Sequence, residues 1–352
     1  MAIFISFATS NLINFWIEQY LNKQFLYGDI GGTKTILQIA EIKHGKIHQQ
    51  FTQHYESQAF VTFSDLLKDF LACTETSSSP LAACFAVAGP IVAQQATLTN
   101  LTWQIHSGDI AQQFSIPTVK LINDFEAAAL AVEALSPDDL VTLQTGHIHE
   151  QAMRVVLGAG TGMGVAWLTW LNDRYYAFAT EAGHMDFAPT NELQIRLLET
   201  LRHKFGHVSV ERLLSGSGLT SIFNYLQSNQ EKPSDLLATH LKEDSGATIT
   251  TLAQTHSHPI AIKSLNVFAE IYGAYAGNLA LTGLCRGGVY VAGGIAPKII
   301  NILSSGSFMH AFRDKGRFSP LMHEIPVHII TNPEISLLGA KREAHYLFMQ
   351  QN

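Results

Sequence analysis

The sequence predicts a two-domain α/β protein, and three observations carry that expectation. The chain has 352 residues, more than one small core organises. Phe25 to Gln50 reads as a β-meander with a glycine-rich first turn. The same order returns over Arg154 to Ala179, after Ser136-Pro137-Asp138-Asp139 has marked a boundary.

The elements follow in chain order. Residues 1–24 form an N-terminal extension, apolar but interrupted by Ser6, Thr9, Ser10, Asn11 and Asn14. Its first positive side chain is Lys23, whereas a signal peptide carries its charge ahead of the apolar stretch. Leu26 and Tyr27 run into Gly28-Asp29-Ile30-Gly31-Gly32-Thr33, and Ile36, Leu37, Ile39 and Ile42 resume the apolar pattern. Phe63, Leu66, Leu67, Phe70 and Leu71 recur at helical spacing and predict a helix over 63–72. Leu81 to Val87 and Thr118 to Ile122 read as strands, and Phe125 to Leu135 as an Ala-rich helix. In the second half, Arg154–Leu157, Val165–Leu171 and Arg174–Ala179 read as strands around turns at Gly158–Gly164 and Asn172-Asp173. Helices are expected over about 191–205, 209–228, 233–243 and 259–284. A strand, Gly288–Ala292, leads into Gly293-Gly294 and a helix near Pro297; a strand at Val327–Ile330 and a helix at Leu337–Met349 close the chain.

Composition removes several function classes. Apolar residues make up 47%, which rules out wholesale disorder. The net charge of −7 argues against a general nucleic-acid binder, because phosphate-backbone binding needs a Lys/Arg excess. A single nucleotide needs only a local anion site and stays possible. No apolar run approaches the length of a membrane span. The three cysteines, Cys73, Cys84 and Cys285, are widely spaced and odd in number, which fits a reducing cytoplasm and offers no zinc spacing.

Three glycine clusters bear on ligand chemistry. In Gly28 to Thr33 the glycines let the backbone approach an anion, the Thr hydroxyl adds a donor, and Asp29 suits Mg²⁺ beside a phosphate chain. An ordinary hairpin turn uses the same residue types. The second turn, with Gly160, Thr161 and Gly162, shifts the balance, because two Gly-Thr hairpins suit a nucleotide held by two phosphate loops. A Walker A string is absent. The dinucleotide fingerprint fails because Met163 stands where its third glycine belongs. Paired strand–glycine–strand turns instead suggest the actin, hexokinase and heat-shock ATPase architecture, a two-domain actin/hexokinase-like (ribonuclease H-like) ATPase fold. Gly293 and Gly294 leave room for a base or ribose, or equally for close helix–strand packing.

Candidate chemistry lies at two further places. Asn123-Asp124 ends a strand and opens a helix, where α/β proteins bind ligands. The helix field favours an ionised Asp124, which can accept the proton of an attacking hydroxyl; a plain helix cap is the alternative. Glu181 and His184 flank an Ala-Gly turn and offer acceptors to a polyhydroxylated ligand, and so does Glu211 on a predicted helix over Val208–Leu214.

Taken together, these segments resemble the bacterial ATP-dependent glucokinases of the non-ROK type. The matching strings are GDIGGT (28–33), FAVAGPI (85–91), LTNLTW (98–103), LINDF (121–125), GAGTGMGVA (158–166), EAGHMDFAP (181–189), HVSVERLLSGSGL (207–219), GGVYVAGGIAPK (287–298), DKGRFSPLM (314–322) and LLGA (337–340). The resemblance implies a homodimeric kinase that transfers the γ-phosphate of ATP to the 6-hydroxyl of D-glucose. Carried over by position, Asp124 is similar to the family's general base. Asn123, Glu181, His184 and Glu211 match its sugar ligands. Gly28, Asp29, Ile30, Gly31, Gly32 and Thr33 match the first phosphate loop, and Thr161 the second nucleotide contact. The resemblance also implies a small domain over 25–134 completed by a C-terminal helix at 332–352, and a large domain over 135–331. Two departures stand out: Ala182 replaces the family's usual glycine, and Lys34-Thr35 is reminiscent of the ROK sugar kinases, whose cysteine-rich zinc motif this chain lacks. Two other readings remain: a kinase for a related hexose or N-acetyl sugar, and a nucleotide-switched interaction protein.

Overall fold

The computed structural model describes residues 24–74, 79–98, 101–228 and 245–351. The expected extension before Gln24 and the expected helix at 233–243 lie outside the described residues. Contacts divide the chain into two units: the described residues up to Ala134 together with those from Glu334 onward, and Leu135–Pro333.

The first unit is built on the sheet order β3-β2-β1-β4-β8. Its strands are β1 (Gln24–Ile30), β2 (Lys34–Lys43), β3 (Lys46–Glu56), β4 (Ala82–Val87) and β8 (Thr118–Asn123). The first three form the expected antiparallel meander, and β4 and β8 add in parallel to β1. Every residue of β4 is buried, as a parallel strand covered on both faces requires. Helix α1 (Phe63–Cys73) starts at a capping box between Thr62 and Asp65 and buries Phe63, Leu66, Leu67 and Phe70, the periodicity read from the sequence. Three strands too short to show periodicity, β5 (Ile91–Val92), β6 (Gln95–Thr97) and β7 (Gln104–His106), make a small separate sheet ahead of α2 (Ser107–Phe114). Helix α3 (Asp124–Ala131) follows β8 directly.

The second unit repeats the plan. Its sheet order is β12-β11-β10-β13-β14-β9, from β9 (Leu140–Gln144), β10 (Arg154–Ala159), β11 (Met163–Leu171), β12 (Arg174–Thr180), β13 (Val289–Ala292) and β14 (Val327–Ile330). Again a three-stranded meander comes first, and again the next two strands lie parallel to its first. The recurrence seen in the sequence is therefore a repeat of topology, with β9 as an added antiparallel edge. Gly28 and Gly158 occupy equivalent strand positions. A side chain on Gly158 would lie 2.7 Å from the Ala292 carbonyl carbon, so the strand itself, not only the turn, demands glycine there.

The helices are α4 (Glu192–Phe205), α5 (Gly216–Ser228), α6 (Ser245–Thr255), α7 (Pro259–Thr282), α8 (Ile300–Leu303), α9 (Ser307–Arg313), α10 (Ser319–Glu324) and α11 (Ile335–Met349). Helix α7 is the buried spine of the second unit, with Leu265, Phe268, Tyr272, Ala276 and Leu279 almost wholly buried. Two sequence expectations need correction. The expected helix over 209–228 is two pieces, a 3₁₀ turn at Val210–Arg212 and α5 from Gly216. Glu211 therefore sits on a single tight turn rather than on a helix over 208–214. The break is a fresh helix start: Ser215 Oγ accepts from the Gly218 N–H at 3.0 Å and caps α5.

Candidate functional site

In the first unit the candidate residues gather at the carboxyl ends of the parallel strands. Asn123 ends β8 and caps α3: its Oδ1 accepts from the Phe125 N–H at 2.9 Å and from the Glu126 N–H at 3.4 Å, and its Nδ2 donates to the Gly89 carbonyl at 3.1 Å. The cap and the candidate ligand are one residue, and the second amide proton remains for a ligand. Asp124 is half-buried, and its Oδ1 accepts from the Phe125 N–H at 2.9 Å. Its carbonyl accepts from Ser336 Oγ at 3.3 Å, so the first turn of α11 is fastened to the start of α3.

Asp29, at the end of β1, feels this arrangement. Burial, then the charges of Asp124 and Glu334, push its carboxyl up to about 7 from 3.8. The sign has a consequence for stability. Between pH 4 and 7 the folded state holds a proton that the unfolded chain has released, so stability falls as pH rises through that window. In buffer free of divalent ions, Asp29→Asn is expected to raise the melting temperature at pH 8, with a gap that shrinks toward pH 4. An equal melting temperature at pH 8 would contradict the burial and neighbouring charge that raise Asp29.

The loop after Asp29 is held by a residue with no motif of its own. Buried Ser57 donates from Oγ to the Gly31 carbonyl at 2.7 Å, and its N–H donates to the Thr33 carbonyl at 2.8 Å. Gly31, Gly32 and Thr33 stay partly or fully accessible.

In the second unit, Gly160, Thr161 and Gly294 line one cavity of about 940 Å³. Gly293, at φ +82°, packs against Ala159 and turns the chain there. The remaining walls come from α4, α5 and α6, including Phe205, Asn224 and Thr250, with the cations Lys204, Arg212 and Lys298. Arg212 stacks over the Phe205 ring, 4.4 Å from its centroid. Sequence reasoning missed Ser217, Thr220, Asn224 and Ser245. Ser217 was visible only as part of the string SGSGL, and the other three carry no local signal.

Glu181 and His184 are exposed on a 3₁₀ turn, with His184 Nε2 3.8 Å from Glu181 Oε2, and neither lines that cavity. The turn is nevertheless joined to the second glycine loop through Met163. Gly183 packs on the Met163 carbonyl, where a Cβ would lie 2.0 Å away. The Met163 N–H donates to Glu211 Oε2 at 2.9 Å. Two tyrosines one turn apart on α7 secure both segments: Tyr275 OH donates to the Ala182 carbonyl at 2.6 Å, and the Ala159 N–H donates to Tyr272 OH at 3.1 Å. Among the described residues no helix is long and apolar enough to cross a membrane, and no cluster of three metal-ligating side chains occurs.

Comparison with known proteins bears on the family and the fold. The model of the family "Glucokinase" matches residues 26–346. A glucokinase of Trichormus variabilis is 41% identical over 331 residues, covering 90% of this chain and 97% of that protein. The crystal structure of a glucokinase from an Antarctic psychrotroph has a TM-score of 0.82 at 30% identity, over 92% of this chain and 99% of that one. A glucokinase from Balamuthia mandrillaris, solved in complex with glucose, has a TM-score of 0.73 over 92% of this chain and 94% of its own; at 21% identity it speaks to the fold alone. These likenesses bear out the actin/hexokinase-like fold.

Proposed function

We propose, from the premise that this chain belongs to the glucokinase family, that Asp124 is the general base of an in-line phosphoryl transfer to the 6-hydroxyl of D-glucose. The reaction itself follows from membership: the protein is an ATP-dependent hexose kinase that phosphorylates glucose. The observation that carries the assignment of the base is the position of Asp124, at the carboxyl end of β8, with its Oδ1 held by the Phe125 N–H and its carbonyl by Ser336 Oγ. A carboxylate so fixed can take the hydroxyl proton as the oxygen attacks phosphorus. Asn123, Glu181, His184 and Glu211 hold the sugar through its other hydroxyls. Buried or oriented polar groups of that kind discriminate strongly against analogues lacking the matching hydroxyl.

ATP takes the loops at Gly28–Thr33 and Gly160–Gly162, with Gly293 and Gly294 at its nucleoside end. The cavity of about 940 Å³ lies within the range of small-molecule sites, and its three cations complement a polyphosphate. Mg²⁺ fits beside Asp29, because a cation would relieve the mutual repulsion of Asp29, Asp124 and Glu334. Mg²⁺ is commonly held by one or two carboxylates plus phosphate oxygens, so a single dedicated side chain suffices. When bound, the ion neutralises phosphate charge. The free thiols Cys73, Cys84 and Cys285 suit the cytoplasm, where we place the protein as a homodimer, in keeping with the family it resembles. A light-scattering mass of one chain at micromolar concentration would reject the dimer.

The test of the reaction is ADP release from Mg-ATP with and without D-glucose, with the product read by phosphorus NMR. Release should depend on glucose, with phosphate on the 6-oxygen, and should be weak with mannose or N-acetylglucosamine. Equal rates with those sugars would move the assignment to a related kinase, and release without sugar to a nucleotide switch.

A further inference from the structure

We propose that Glu211 is a positioning residue for the second phosphate loop as well as a sugar ligand, so that one carboxylate serves both substrates. Two independent features of the second unit carry this. Its Oε2 accepts from the Met163 N–H at 2.9 Å, the residue that closes the glycine loop. Gly162 packs so closely on the same oxygen that a Cβ there would lie 2.6 Å from it. The turn bearing Glu211 is itself braced on the loop. Ser215 Oγ donates to the Glu211 carbonyl at 2.8 Å, and the Gly216 N–H donates to the Gly160 carbonyl at 3.0 Å. The tight 3₁₀ turn, rather than the expected helix, is what aims the side chain at Met163.

A carboxylate has two oxygens and about four acceptor directions, so Oε2 can hold the loop while the group also takes a sugar hydroxyl. The loop N–H bond is charge-assisted and partly shielded, which makes it worth more than an exposed neutral one. Without it, Thr161 and Gly162 lose the contact that sets where their N–H groups point. Met163 also lies against Gly183 of the Glu181–His184 turn, so the same loop touches both groups of proposed sugar ligands in this unit.

The proposal rests on the reading of 158–164 as a nucleotide loop, and the experiment separates the two. Affinity for Mg-ADP without sugar is measured by calorimetry for wild type, Glu211→Ala, Glu211→Gln, Gly162→Ala and Thr161→Ala, alongside KM for ATP and glucose. Glu211→Ala is expected to weaken Mg-ADP about tenfold or more, the scale of one charge-assisted bond. Glu211→Gln should recover most of that loss, because its amide oxygen can still accept from Met163, while KM for glucose stays raised. Gly162→Ala should weaken Mg-ADP with Glu211 intact, by pushing the carboxylate off the Met163 N–H, and it decides the matter if Glu211→Ala does not fold. Affinity within twofold of wild type in both Glu211→Ala and Gly162→Ala, beside a weakened Thr161→Ala, would overturn the proposal alone and leave Glu211 a sugar ligand. Unchanged affinity in Thr161→Ala as well would overturn the loop reading with it.

Discussion

Asp124→Asn is expected to lower kcat about a thousandfold, the middle to upper part of what a positioned general base supplies. The substitution is chosen to keep everything else. The Asn oxygen can still accept from the Phe125 N–H, as Asp124 Oδ1 does at 2.9 Å, so the start of α3 survives. The Asp124 carbonyl bond to Ser336 is a main-chain contact and is also unaffected. What disappears is the capacity to take a proton. Glucose binding by calorimetry should stay within a few-fold of wild type, and the melting temperature should not fall, because losing the Asp124 charge relieves Asp29. Asp29 gives the contrast. If it holds Mg²⁺, Asp29→Asn should raise KM for Mg-ATP, whereas Asp124→Asn should act on kcat. Turnover of Asp124→Asn within about tenfold of wild type would reject the base assignment.

Legibility in the sequence followed the strength of the periodic signal. The two meanders were readable because β2 and β11 are long and the turns beside them carry Gly-Gly, His-Gly or Asn-Asp. Helix α1 was readable from the spacing of Phe63, Leu66, Leu67, Phe70 and Leu71. Strands β5 to β7 were not, since two or three residues cannot display an alternation. The Val210–Arg212 turn was misread as helix because Val208, Val210, Leu213 and Leu214 are apolar at helix-like spacing; the cap of Ser215 Oγ on the Gly218 N–H starts a separate helix there. Local strings located Asp124, Asn123 and the glycine turns. They were silent on Ser57, Tyr272 and Tyr275, whose work is to hold loop backbone from a distance in sequence. Met163 entered the sequence reading only as the residue that spoils a dinucleotide motif. In the fold it is where Glu211, the glycine loop and the Gly183 turn meet.

Gly339→Val should produce the largest loss of stability, and the contest of terms shows why. Gly339 lies on α11, where it crosses α3. A Cβ there would sit 1.8 Å from the Ala127 carbonyl oxygen and 2.4 Å from its carbon. Both are helix backbone, so no flexible side-chain tip can yield and the two helices must separate. Removing a glycine from a helix interior gains at most about 1 kcal/mol of propensity. Overpacking against backbone costs about 3 kcal/mol or more, so the clash wins. Separation would also loosen what α11 carries. Lys120 Nζ is 2.7 Å from buried Glu343 and 3.9 Å from Glu126. Burial would lower the Lys120 ammonium, yet the Glu343 carboxylate, its hydrogen bond and the nearby Glu126 together more than offset this, so the cluster depends on α11 staying seated. Phe25 packs on His345 and Phe348 from the same helix, with ring centroids 5.7 and 6.1 Å apart. A net loss of about 2 kcal/mol or more corresponds to a fall of roughly 5–10 °C for a unit of this size. Calorimetry should show the fall in the transition of the first unit. Turnover should drop with it, because the first turn of α11 brings Ser336 to the Asp124 carbonyl. A melting temperature within 2 °C of wild type would mean that α11 does not pack on α3 at Gly339.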